Sequence, residues 1–436
     1  MHKMHIQEEQ APIAVFWFRR DLRLEDNVGL NTALDAGLPV LPIFIFDTNI
    51  LNELDESDAR VSFIYDQLVR LKSELMKRGG ALLTFHGRPI EVLKKALSNY
   101  SVKQVYTNQD YEPYGIKRDA EIRTLLNQQK VEFHSLKDSV IHDKHNVVKA
   151  DGKPYTVFTP YKNKWFESVD LSAILPVTNI SDNWFTTKTY IPSLEEIGFK
   201  RSEIEVRPFN LKSLNNYEQS RDIPSQENTS DLGPHLRFGT VGVRTIINQI
   251  KQHPVFLSEL IWREFFMQIL FHFPDVVTHN FRRKYDGVQW ENDENNFERW
   301  CNGETGYPMV DAGMRQLNQT GYMHNRVRMV TASFLCKHLL IDWRWGEAYF
   351  ARKLLDYELS SNNGNWQWSA GTGCDAAPYF RIFNPSEQLR KFDPNEVYVK
   401  RWISELGSQD YPKPIIEHKF ARLRALERYK EGILLG

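Results

Sequence analysis

A change of hydrophobic periodicity along the chain constrains its fold more than any other feature. Four short apolar or β-rich runs recur near the front, AVFWF (14–18), PVLPIFIF (39–46), ALLTFHG (81–87) and QVYTN (104–108), with amphipathic stretches such as 61–78 between them. Strands alternating with helices predict a parallel sheet, an α/β domain of Rossmann-like form. Beyond about residue 211 the apolar positions recur instead at three and four, as in FLSELIWREFFMQILF (256–271) and VRMVTASFLCKHLL (327–340), and no strand pattern competes. That second half predicts an all-α domain. A chain of 436 residues exceeds what one core organises, so two domains are expected. We read an α/β domain over 1–134, a Pro-, Ser-, Asn- and Thr-rich linker over 135–210, and a helical domain over 211–436.

Several classes are disfavoured. The first strand is followed by RRDLRLEDN, without the GxGxxG of dinucleotide enzymes, and a lone GTG at 371–373 lies deep in the helical half. Cys301, Cys336 and Cys374 are odd in number and lack CxxC spacing, which argues against a disulfide framework and a metal site and for a reducing, cytoplasmic setting. No run approaches the ~18 to 20 apolar residues of a membrane helix, and MHKMHIQEEQ is too polar and short for a signal peptide. With a net charge of −1, any nucleic-acid site must be a local patch. Tryptophan is unevenly spread: Trp262, Trp290, Trp300, Trp343, Trp345, Trp366, Trp368 and Trp402 all lie in the helical half. One such residue is ordinarily core filling; their clustering weakens that reading for the set.

The run Thr229-Ser230-Asp231-Leu232-Gly233-Pro234 sets hydroxyls and N–H groups ahead of a helix, a plain N-cap when taken alone and a diphosphate site in the right company. In WQW, Trp366 and Trp368 project about 200° apart on a helix. Glu259 precedes Trp262 by three residues and shares its helix face, where aromatic surroundings should raise the carboxyl pKa.

These features stand within SELIWREF (258–265), GYPMVDAGMRQLNQTGYMHNRVRM (306–329) and SNNGNWQWSAGTGCDAAPYFRIFNP (361–385), which with WFRRDLRLEDN closely resemble the photolyase/cryptochrome family. The match covers nearly the whole chain and is nearest to bacterial class I photolyases that repair cyclobutane pyrimidine dimers. The resemblance implies FAD in the helical domain, bordered by Tyr217, Thr229, Ser230, Asp231, Leu232, Gly233, Arg263, Asn325, Arg328, Asp356, Glu358 and Asn362. It implies an ion pair of Arg328 with Asp356 against the ring system, and Asn362 beside the reactive ring nitrogen, where a neutral amide tolerates an anionic reduced flavin. Trp366, Trp343 and Trp290 correspond to the family's electron-carrying chain. Glu259, Trp262, Asn325, Met329 and Trp368 correspond to contacts with a flipped-out dimer, and Arg221, Arg326 and Arg381 to phosphate contacts on the damaged DNA. A monomer is expected.

This chain departs from the pattern at Phe256 and Tyr322, where Trp is frequent, at Glu358 for Asp, and at Gly233 for a phosphate-capping Ser. Glu112 resembles an antenna-binding glutamate, but Val276-Val277 replaces the Cys-Lys pair of some folate-binding members, so a second antenna chromophore of folate or deazaflavin type stays open. Within the family, a signalling cryptochrome usually adds a C-terminal extension, which is not expected after ERYKEGILLG, and repair of (6-4) photoproducts uses paired histidines, of which His324 is one without an evident second. An unrelated flavin redox enzyme is disfavoured by the missing fingerprint.

Overall fold

The computed structural model describes residues 11–178, 181–226 and 228–436; the N-terminal MHKMHIQEEQ lies outside them. The chain divides into two compact units.

The first unit holds a five-stranded parallel sheet of β1 (Ile13–Phe18), β2 (Val40–Asp47), β3 (Leu83–Gly87), β4 (Val102–Asn108) and β5 (Glu132–Leu136), in the order β3-β2-β1-β4-β5. β1 and β2 are buried along their whole length, as central strands covered on both faces must be, which is why they read as continuous apolar runs. The crossovers are α1 (Val28–Asp35), α2 (Ala59–Lys77), α3 (Pro89–Asn99) and α4 (Pro113–Gln128). RRDLRLEDN acts as a structural knot where other sheets bind phosphate. The Asn27 side chain caps α1 by accepting from the Leu30 N–H (3.1 Å), Arg23 pairs with Asp138 (2.5 Å), and Arg244 bridges Asp26 and Asp138 at 2.6 Å each.

The second unit is helical. The elements used below are α5 (Phe158–Glu167), α6 (Leu232–Arg237), α7 (Pro254–His272), α8 (Glu294–Asn302), α9 (Pro308–Thr320), α10 (Asn325–Ser333), α11 (Trp343–Lys353), α12 (Leu359–Ala370) and α13 (His418–Leu435). Its main core gathers Trp300, Trp343 and Trp366 from α8, α11 and α12, with Met309, Val310 and Met314 of α9. Among the described residues no helix is long and apolar enough to cross a membrane.

Three boundaries differ from the sequence reading. The short edge strand β5, too brief and too exposed to stand out, straddles 134/135. The segment 135–210 is more than connection: His142–Asp170 belongs to the helical unit and Leu171–Glu203 to the α/β unit. Tyr161 and Trp165 of α5 are buried, with Trp165 Nε1 donating to Glu264 Oε1 of α7 (2.8 Å). Phe238–Gln249 also joins the α/β unit, through Arg244.

Candidate functional site

The helical unit encloses a cavity with about 910 Å3 of atom-free space, its mouth included, a size suited to a cofactor. α10 forms one wall, since Asn325, Arg328, Met329 and Ala332 recur at three and four and share a face. α12 forms another. Its rotation is fixed from the far side, where Asn363 Nδ2 and Gln367 Nε2 donate to the Val276 carbonyl at 3.0 and 2.9 Å. Asn362 and Trp366 then line the cavity, and so does Trp368. The two tryptophans of WQW, about 200° apart on α12, thus both border the one cavity.

Asn362 is held by a group that sequence reasoning missed. Its Nδ2 donates to Glu347 Oε1 (2.8 Å) and to the Glu347 carbonyl (3.1 Å), which leaves Oδ1 to face the cavity. Burial pushes the Glu347 carboxyl above the usual range, opposed by the bond from Asn362. Arg328 grips Asp356 as a fork, with bonds of 3.2 and 2.9 Å, while its Nε donates to the Met323 carbonyl (2.8 Å). Arg263 Nε lies 3.2 Å from Glu358 Oε2, so the longer side chain at 358 still makes an ion pair in the cavity wall. Gly233 also lines the cavity; a Cβ there would stand 2.7 Å from Asp356 Cβ, so glycine permits the approach of α6.

The rest of the 229–233 run is not in the lining. Ser230 Oγ accepts from the Leu232 N–H (3.3 Å) and Thr229 Oγ1 donates to Asp231 Oδ1 (3.4 Å), so Thr229, Ser230 and Asp231 form the turn leading into a six-residue helix whose first residue is Leu232. Tyr217 likewise stands apart, edge-on to Phe256 (5.0 Å) and under the Arg221 guanidinium (5.5 Å).

Arg221 Nη1 contacts Glu259 Oε1 at 2.7 Å. Burial raises the Glu259 carboxyl above its ordinary range and Arg221 works against it, so burial has the larger effect on this acid. Trp262, one turn on, has Phe158 stacked on it at 3.6 Å with the planes 8° apart. Arg326 pairs with Asp222 (2.8 Å) and lies over the Phe392 ring (4.3 Å). The positive stripe expected from Arg221, Arg326 and Arg381 is thus partly neutralised, two of its members being matched by carboxylates. Arg381 is exposed, on a loop whose carbonyl at 381 accepts from the buried Lys337 Nζ (3.0 Å).

Trp366 and Trp343 are buried in the main core, and Trp290 packs against it half-buried. Trp343 Nε1 donates to Asn280 Oδ1 (2.9 Å), and Trp290 meets Tyr429 of α13 edge-on (5.9 Å). Trp300, read from sequence only as one of the cluster, touches Trp366 edge-on at 6.1 Å. In the α/β unit, Glu112 pairs with Arg20 (3.0 Å), and a cavity with about 820 Å3 of atom-free space, its mouth included, is lined by residues including Asn49, Arg88, Tyr114, Lys117 and Arg118.

The walls of the helical cavity combine apolar surface (Leu236, Ala332, Phe350, Leu354 and Trp366) with donors from Arg237, Arg263 and Asn365. That chemistry fits a flat ring system with an anionic tail. Residues 14–179 match the DNA photolyase family, and residues 256–409 match the FAD binding domain of DNA photolyase. The chain is 34% identical to a deoxyribodipyrimidine photo-lyase of a Synechococcus strain, over 97% of each protein. It superimposes with a TM-score of 0.84 on a class III photolyase of Agrobacterium tumefaciens, 33% identical and covering 99% of both chains. An archaeal photolyase of Sulfolobus tokodaii, solved with two FAD molecules, gives the same TM-score of 0.84 at 36% identity, over 96% of this chain and 99% of that one. A parallel sheet without a dinucleotide loop, a tryptophan-walled helical cavity and full-length likeness to these enzymes agree: the chain belongs to the DNA photolyase family and carries that family's FAD-binding domain.

Proposed function

We propose that this chain is a blue-light-driven enzyme that splits cyclobutane pyrimidine dimers in DNA, acting as a monomer in the cytoplasm. The observation that carries the reading is the convergence on one cavity of Arg263, Asn325, Met329, Asn362, Trp366 and Trp368, drawn from segments far apart in sequence. Bound FAD supplies the absorption of blue light and, when reduced, the electron that opens the cyclobutane ring.

The chain's own residues do the rest. Arg328 with Asp356 and Arg263 with Glu358 hold the cofactor through paired charges that need no reorganisation on binding. Glu347 orients Asn362 so that a neutral carbonyl oxygen, and no charge, faces the site. Trp262 and Trp368 give extruded bases aromatic surface in exchange for lost stacking, a term of roughly 1–3 kcal/mol per base. Burial raises the Glu259 carboxyl, and in its protonated form, released from Arg221, it donates to pyrimidine oxygens as they gain negative charge. Trp366, Trp343 and Trp290 carry electrons inward from the surface, and Arg381 contacts DNA phosphate. The second cavity, beside Tyr114 and Arg118, is our site for a light-gathering chromophore, a reading supported by the two FAD molecules of the Sulfolobus relative.

The test is blue-light illumination of the reduced holoenzyme with an oligonucleotide carrying one thymine dimer. Restored thymines are expected; a protein that binds FAD yet leaves every dimer intact overturns the reading.

A further inference from the structure

The aromatic stack at Trp262 includes a residue from the segment that the sequence presents as connection. Phe158, at the N-terminus of α5, lies face to face with the indole, centroids 3.6 Å apart and planes 8° apart. Phe266 lies against Trp262 at 5.4 Å and 28°, and the indole remains partly exposed. Phe158 is itself held on several sides. It is 7% exposed, its N–H donates to Asp375 Oδ2 (3.0 Å), and its ring meets the edge of Phe265 at 5.9 Å. α5 is anchored in turn through Trp165 Nε1 to Glu264 of α7 and through buried Tyr161 against Phe265 (5.1 Å).

We infer that Phe158 is a positioning residue for dimer recognition, one that fixes the plane of the Trp262 indole so that its open surface meets the extruded base. The inference rests on the reading of Trp262 as part of the lesion pocket. An indole free to rotate about χ1 and χ2 would lose rotamer freedom each time a base stacked on it; a ring already clamped on one face has lost that freedom beforehand. Phe158 therefore favours damaged DNA specifically, while phosphate contacts serve damaged and intact DNA alike.

The experiment measures dark affinity of the FAD-loaded full chain for a dimer-containing oligonucleotide and for the same sequence undamaged. Phe158→Leu keeps apolar volume but removes the flat face, and Phe158→Tyr keeps the face. The expected result is a two- to tenfold drop in discrimination for Phe158→Leu, on the order of one aromatic pair. Undamaged-DNA affinity and flavin absorption should stay unchanged and Phe158→Tyr should match wild type. In a Trp262→Ala background Phe158→Leu should have no further effect. A loss that is equal for both DNAs, or that persists in full without Trp262, overturns the inference and leaves the pocket standing. If Trp262→Ala alone leaves discrimination unchanged, the pocket reading falls and the inference with it.

Discussion

Gly346→Ala separates helix propensity from packing at the site. Gly346 lies inside α11, where alanine is ordinarily about 1 kcal/mol better than glycine. Here the added Cβ would sit 2.5 Å from Cζ3 of Trp366, closer still to its Cη2, and 2.6 Å from Cδ2 of Leu335, against an ordinary contact of at least 3.4 Å. Both neighbours are buried, and Trp366 is also packed against Phe350 and Trp300, so the indole must give by more than about 1 Å into the cavity it lines. Overpacking of this kind costs about 1–3 kcal/mol, which offsets the propensity gain and leaves a net loss of about 0–2 kcal/mol. For a chain this large the Tm should fall by only a few degrees, at about 2–4 °C per kcal/mol. The functional effect should be larger: weaker FAD retention and slower photoreduction, because the displaced ring lines the cavity proposed for the cofactor. Thermal unfolding, flavin content and photoreduction rate are measured on the same preparations. A variant with a raised Tm and wild-type photoreduction would refute the packing argument.

Trp366→Phe should block photoreduction of the oxidised flavin while leaving dimer repair by chemically reduced enzyme nearly intact, as read by absorption and by repair yield; equal photoreduction would remove Trp366 from the electron path. Arg381→Ala should weaken damaged and intact DNA binding alike and lower the slope of log K against log salt by about 1, seen in a salt titration of affinity. His324, lowered to about 4 mainly by burial, should make stability fall as pH drops from 6.5 toward 4. The sign follows because the unfolded chain takes up a proton there that the folded chain refuses. His324→Asn keeps an N-cap for α10, whose first turn His324 Nδ1 now caps at Arg326 N–H, and should flatten that limb of Tm against pH.

The long elements were legible because their periodicity is imposed by burial. β1 and β2 are covered on both faces and read as apolar runs, and the three- and four-residue spacing in α10 brings Asn325, Met329 and Ala332 together in one wall. What stayed hidden depends on tertiary contacts. β5 is short and lies at the sheet edge. α5 has only a few core residues and sits amid polar sequence, so Phe158 gave no sign of its place on Trp262. Glu347 looks like any helix glutamate until Asn362 is seen to donate to it. Arg221 and Arg326 looked like free cations, and only the fold brings Glu259 and Asp222 to them. Likewise the 229–233 run carries the composition of a phosphate cap, but the helix it caps is one and a half turns long and only Gly233 reaches the cavity.

The most direct test of the account is the yield of dimer splitting per absorbed photon in a single turnover, with the flavin held reduced, for wild type and Glu259→Ala, alongside dark affinity. The account predicts restored thymines in wild type and a Glu259→Ala yield that falls by a larger factor than affinity, because its hydrogen bond strengthens as charge develops on the pyrimidines. Wild-type protein that photoreduces but restores no thymine, or a Glu259→Ala yield equal to wild type, would contradict it.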